Sequence, residues 1–137
     1  MIFVDASVWI DEFRDVSTPQ TERLSELTGE EQVAVGDLTL AEVLRGCRDQ
    51  REFDRTLARL RSYPVVDIGG RDVALAAATN YRLLRDRGTT VRGMIDCLVA
   101  ARCILDGHAL LFSDRDFAPF VEWLGLRDGM HGIDEAF

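Results

Sequence analysis

Residues 1–11 read MIFVDASVWID. The run Ile2-Phe3-Val4 is wholly apolar, the profile of a strand buried on both faces, and it ends at Asp5. A carboxylate directly after a buried strand is costly unless it is paired, hydrogen-bonded or bound to a metal. No basic residue follows Asp5 until Arg14. Ser7 is placed to cap the next helix, whose apolar positions Val8, Trp9 and Phe13 recur at helical spacing.

The remaining chain alternates helices with short apolar runs. Pro19 fits the first turn of a second helix, closed by Gly29. Val33 to Val35 reads as a strand, and Leu38 to Arg45 as a helix stopped by Gly46. Asp49 to Arg61 is a further helix, with Phe53, Leu57 and Leu60 facing inward. Pro64 ends it, and Val65-Val66 is a brief strand. Arg71 to Arg87 predicts a long helix stopped by Gly88, and Met94 to Asp106 one stopped by Gly107. Ala109 to Phe112 is a strand running into SDRDF, and Pro119 to Leu124 a last short helix. Strands separated by helices predict an α/β fold of three layers, a central and mainly parallel sheet flanked by helices. With no repeat, linker or low-complexity tract, residues 1–137 are expected to form a single domain.

Composition removes several chemistries. All 16 basic residues are arginine. Without lysine there is no P-loop, no Schiff-base nucleophile and no phosphate-relay receiver of the usual kind. Net charge −8 argues against a generic nucleic-acid coat. Cys47, Cys97 and Cys103 form no CxxC pair and read as reduced core filler, and His108 and His131 make no zinc spacing. The longest apolar stretch, Val73 to Ala78, is far short of the ~20 residues a membrane span needs. A cytoplasmic protein with no membrane association is expected.

What remains is acid. Parallel sheets place their sites at the carboxyl ends of strands. Asp5 follows the first strand, and Asp114 and Asp116 follow the last. Asp96 lies in the first turn of an otherwise apolar helix, and Glu42 is flanked by apolar residues in LTLAEVL. Taken singly, Asp96 also reads as a helix-start acid, Glu42 as a solvated position and DRD as a polar turn. Together they could converge beyond the sheet edge, and clustered carboxylates need cations. Oxygen-only ligands select Mg²⁺ or Mn²⁺ over zinc. A pair of such ions about 4 Å apart activates water and stabilises the leaving oxygen of a phosphodiester.

The segments MIFVDASVWID, LTLAEVLRG, TVRGMIDCLVAA and LLFSDRDF, in that order, resemble the signature segments of PIN-domain ribonucleases, most of all the VapC-type toxins of toxin–antitoxin pairs. The resemblance spans essentially the whole chain. It implies a metal-dependent endoribonuclease that cleaves RNA through water activated by carboxylate-held Mg²⁺ or Mn²⁺, with no covalent enzyme intermediate. It implies Asp5, Glu42, Asp96 and Asp114 as the metal-holding quartet, Asp116 as an auxiliary ligand and Ser7 as support for Asp5. Ala6 and Phe112 depart from the threonines common in that family, and Ser113 is a candidate substitute. The resemblance also implies a homodimer and a VapB-like antitoxin, joined in a hetero-oligomer. Exposed apolar residues near Trp9, Phe13, Trp123 and Leu124 could serve such contacts, although both tryptophans are expected in the core.

Arginine is unevenly spread. Residues 45–61 carry six arginines against three acids, and 82–92 carry four against one. Arg48, Arg51, Arg55 and Arg59 read either as an RNA-binding face or as a solvated one. Arg92, four residues before Asp96, is expected to contact substrate or position the site. Two other readings remain: a catalytically silent α/β binding module, and a related nuclease of nucleic-acid processing rather than toxicity.

Overall fold

The computed structural model of the chain describes residues 1–27 and 33–131. Among these, five strands form one sheet: β1 (Ile2–Val4), β2 (Val33–Gly36), β3 (Val65–Val66), β4 (Ala109–Leu111) and β5 (Arg127–Asp128). Their order is β3-β2-β1-β4-β5, and every neighbouring pair is parallel. The helices are α1 (Ala6–Phe13), α2 (Pro19–Glu26), α3 (Asp37–Arg45), α4 (Gln50–Leu60), α5 (Arg71–Asp86), α6 (Met94–Asp106) and α7 (Ala118–Leu124).

The three layers follow from the two-residue period of a strand. Ile2, Val4, Val33, Val35, Ala109 and Leu111 enter one core with Trp9, Leu24, Val43 and Leu60 of the first four helices. Phe3, Ala34 and Leu110 point the other way, toward Val73, Ala77 and Leu84 of α5, Ala100 and Cys103 of α6, and Phe120 of α7. Both faces are covered, so the central strands are apolar throughout rather than alternating.

The chain steps from β1 to β2 to β3 on one side, then returns to lay β4 and β5 on the other. The order therefore reverses between β1 and β4, and parallel sheets open a crevice at such a reversal. Ile2 pairs with Ala109 and Val4 with Leu111. The Asp5 amide extends that ladder, donating to the Leu111 carbonyl at 2.9 Å. Asp5 and the SDRD segment thus leave the sheet side by side.

Several expectations change in detail. The cap of α1 is Asp5, not Ser7: Asp5 has extended backbone, and its carboxylate accepts the Ser7 amide. Pro19 does open α2, behind a Thr18–Thr21 capping box; its expected end at Gly29 lies outside the described residues. On α4, Leu60 is buried together with Thr56, while Phe53 and Leu57 are only half-buried. That helix packs against α3 rather than across the sheet, so only one edge is covered. Strand β4 ends at Leu111, one residue early, and a 3₁₀ turn, Arg115–Phe117, precedes α7.

Trp9 is buried, but Trp123 is 48% exposed and is not a core residue. Cys97 and Cys103 are buried and unpaired, as core filler should be, and burial pushes the Cys103 thiol up to about 12. No helix among the described residues is long and apolar enough to cross a membrane.

Candidate metal centre

The crevice between β1 and β4 is built from Asp5 outward. Asp5 is 5% exposed, and one of its carboxylate oxygens accepts the Ser7 amide at 3.3 Å and the Ser7 hydroxyl at 2.7 Å. The Ser113 hydroxyl in turn donates to Ser7 Oγ at 3.1 Å. Two hydroxyls, one from each strand end, therefore fix the orientation of Asp5. Ser113 thus reaches Asp5 through Ser7, and Phe112 offers no hydroxyl.

Across the crevice, α6 begins at Met94 and carries Asp96 on its third residue. Asp114 caps the 3₁₀ turn by accepting the Asp116 amide at 2.9 Å. Asp96, Asp114 and Asp116 each present a carboxylate oxygen within 4.8 Å of the others. Oxygens around one Mg²⁺- or Mn²⁺-sized ion, at metal–oxygen distances near 2.1 Å, lie about 3–4 Å apart. Small side-chain rotations would close this trio on an ion. Asp5 and Glu42 stand outside the close trio but face the same space.

The electrostatics show that convergence. Burial raises the Asp5 carboxyl above its ordinary range; the Ser7 and Ala6 hydrogen bonds oppose the shift, and the charge of Asp114 adds to it. Glu42, half-buried on α3, is raised by burial and then by Asp5, with Arg45 opposing. Asp96 is pushed up to about 7 by burial and then by Asp5, Glu42, Asp114 and Asp116 in that order. All four other acids act on this single group. Among the described residues, none of the five carboxylates is in an ion pair.

An all-oxygen, uncompensated, partly buried acid cluster is the donor set of a hard divalent cation. The residues present therefore fit Mg²⁺ or Mn²⁺.

Gly93, the residue before α6, was not singled out by its sequence. A Cβ there would lie 3.1 Å from Asp96 Oδ2 and 3.3 Å from its carboxyl carbon. Asp96 leans back into the space that glycine leaves. The spacing Gly-x-x-Asp at a helix start was the available signal.

None of the arginines pairs with the five acids among the described residues. Arg92 is exposed and makes no ion pair among the described residues. Arg48, Arg55 and Arg59 line a groove of about 570 Å³ between α1, α3 and α4, with Arg14 and the apolar Ile10, Phe13 and Val43. Arg48 pairs with Glu52 at 3.0 Å, and the Arg59 guanidinium lies 4.4 Å from the Phe13 ring centre. Arg48, Arg55 and Arg59 thus border an apolar groove while remaining exposed to solvent, and Arg51 is exposed outside its lining.

Residues 2–120 match the PIN domain family. A VapC ribonuclease of Mycobacterium bovis is 33% identical over 120 residues, which cover 85% of this chain and 89% of that relative. Ribonuclease VapC11 of Mycobacterium tuberculosis aligns with the same identity and coverage. Among solved structures, VapBC2 from Rickettsia felis bound to a promoter DNA fragment superposes with TM-score 0.74 at 16% identity, over 93% of this chain and 96% of that one. VapC20 of Mycobacterium tuberculosis, a sarcin-ricin loop cleaving toxin, superposes with TM-score 0.63 at 20% identity, over 86% and 93%. At those identities the structural likeness speaks to the fold.

Proposed function

The chain belongs to the PIN-domain family, and from that premise we propose that it is a metal-dependent endoribonuclease, the toxin of a VapBC-type toxin–antitoxin pair, acting as one domain over residues 1–137. The observation that carries this reading is the convergence of five carboxylates, none in an ion pair among the described residues, at the reversal of the sheet.

Asp96, Asp114 and Asp116 would hold Mg²⁺ or Mn²⁺, with Asp5 and Glu42 completing the oxygen set. Bound there, the ion supplies Lewis-acid polarisation of a phosphodiester and a water made acidic enough to attack it. The chain's own groups do the rest. Ser7 and Ser113 hold the Asp5 carboxylate in one orientation. Arg92, free and close in sequence to Asp96, is suited to grip a phosphate of the RNA. The Ser7 and Ser113 hydroxyls are engaged in holding Asp5, and water is the proposed attacking group.

One structural neighbour named above is VapBC2 bound to promoter DNA, and a VapB-like antitoxin bound to a homodimer is proposed for this chain. The groove between α1, α3 and α4 suits a partner segment that is apolar on one side and acidic on the other. Of the apolar residues expected to serve such contacts, Phe13 borders the groove, whereas Trp9 is buried.

The test is purified protein with total RNA, with and without Mn²⁺, beside Asp5→Asn, Asp96→Asn and Arg92→Ala. Cleavage only with metal, abolished in both Asn variants and weakened in Arg92→Ala at unchanged melting temperature, supports the reading. RNA left equally intact by wild type and variants under every metal tried overturns it.

A further inference from the structure

The carboxylates account for hydrolysis but repel the polyanion they would cut, so some other surface must hold it. The start of α5 is tied to the middle of α6: Arg102 donates to the carbonyls of Ile68 at 3.1 Å and Gly69 at 2.8 Å. From there α5 runs back along α6, so its far end and the 87–93 connection return toward the start of α6, where Asp96 sits. This end carries Arg82, Arg85, Arg87 and Arg92, all exposed and none in an ion pair among the described residues.

Trp123 meets this surface from α7. The Arg87 guanidinium lies 4.1 Å from the centre of its ring, and the indole is still 48% exposed. Trp123 lies on α7, which follows directly on the 3₁₀ turn that carries Asp116. An aromatic ring steadied on one face by a guanidinium offers a flat surface for a base beside a cation for phosphate.

We propose that Arg87 and Trp123 form a base-stacking subsite for an unpaired nucleotide of the RNA, on the flank of the carboxylate centre, with the neighbouring arginines holding its backbone. This rests on the ribonuclease reading and adds what that reading leaves open: how the acidic chain grips its substrate, and that it prefers single-stranded RNA. Unpaired bases expose the ring faces that aromatic side chains stack on, whereas a duplex hides them. A second copy of the chain is the rival occupant. Across a two-fold axis the same patch faces itself, and four arginines would then oppose four arginines, which is unfavourable.

The test uses full-length Asp5→Asn protein, to prevent cleavage, and a short unstructured RNA or the same RNA annealed to its complement. Trp9 is buried and Trp123 exposed, so quenching of tryptophan emission reports on Trp123. Single-stranded RNA should quench it and the duplex should not. Adding Trp123→Ala should weaken single-strand binding about tenfold, with Trp123→Tyr restoring most of it. Adding Arg87→Ala should weaken binding and lower its salt dependence. Sedimentation should give the same oligomeric state for all of these proteins.

Equal affinity with and without the Trp123 ring overturns the subsite, as does a Trp123→Ala protein that keeps its RNA affinity but changes its oligomeric state. If protein with Asp5 intact cleaves RNA while Trp123→Ala binds normally, the subsite alone is wrong. If wild type neither binds nor cleaves RNA, the ribonuclease reading falls with it.

Discussion

Two aspartates leave adjacent strands of the same sheet and have opposite surroundings. Asp37 follows β2 as Asp5 follows β1. One Asp37 oxygen accepts the backbone amides of Leu38 at 2.8 Å and Ile68 at 2.9 Å. Arg102 holds the same loop from the other side and pairs with Asp106 at 3.1 Å. Every charge in that clamp has a partner, so it ties β2, β3 and α6 together and is closed to ligands. Asp5 is oriented by hydroxyls, faces other acids and is raised by burial. An acid at a strand end is therefore not a site by itself. Position beside the reversal of strand order makes the difference, because there two strand ends meet the start of α6, which brings Asp96 instead of an arginine.

The contrast breaks most visibly by substitution. Asp5→Asn should lower RNA cleavage by about 100-fold or more at a nearly unchanged melting temperature, since metal-site support residues alone cost 10–100-fold. Asp37→Ala should do the reverse. It strands two backbone amides and should cost about 1–3 kcal/mol of stability in denaturant melts, with cleavage per folded molecule retained. A stable but inactive Asp37→Ala would end the comparison.

Protons sharpen it next. The folded, metal-free protein holds the Asp96 proton up to about pH 7, against an ordinary value of 3.8. Between those values the folded state binds more protons than the unfolded one, so stability falls as pH rises through this window and stays low above it. Asp5 and Glu42 are raised too and act with the same sign. Metal-free protein should melt several degrees lower at pH 8 than at pH 5. Asp96→Asn should flatten most of that slope, and Mn²⁺ at pH 8 should reverse it. A melting temperature that rises across the window in metal-free wild type would contradict the assignment.

Two smaller effects probe how the open carboxylates are held. Ser7→Ala should weaken Mn²⁺ binding about tenfold or more, and Ser113→Ala by less, because its hydroxyl reaches Asp5 only through Ser7. Titration calorimetry would rank the pair, and the opposite ranking would refute the relay. Gly93→Ser is subtler. Its φ of −106° suits any residue, and serine at a helix cap stabilises by a few tenths of a kcal/mol over glycine. The added Cβ crowds Asp96, and the new capping box competes for its carboxylate. Stability should hold or rise slightly while Mn²⁺ affinity falls.

Much of this architecture can be read from residue order. Ile2–Val4, Val33–Val35 and Ala109–Leu111 are apolar on both faces because helices cover both faces, and Gly46 and Gly107 mark true helix ends. What escapes is nonlocal. Strand β5 is two polar residues held by the edge of β4, with Gly129 so close that a Cβ would sit 2.8 Å from the Leu111 amide. Ser7 reads as the helix cap, and only the extended backbone at Asp5 shows that Asp5 takes that place. Asp37 and Asp5 share a local context, a short apolar strand and then an acid, and differ only in which strand lies beside them. Trp123 sits on a short helix whose sequence alone does not say which rings reach solvent.

The pairing of β1 with β4 has a consequence in time. Asp5 is synthesised long before its neighbours in the site: the strand that completes the β1 edge ends at Leu111, and three of the five acids lie at or beyond Asp96. Contacts this far apart in sequence close late in folding. A nascent or truncated chain holding only Asp5 and Glu42 lacks the trio that would grip an ion. The cluster of five acids therefore assembles only after Asp116 has been made and β4 has paired with β1.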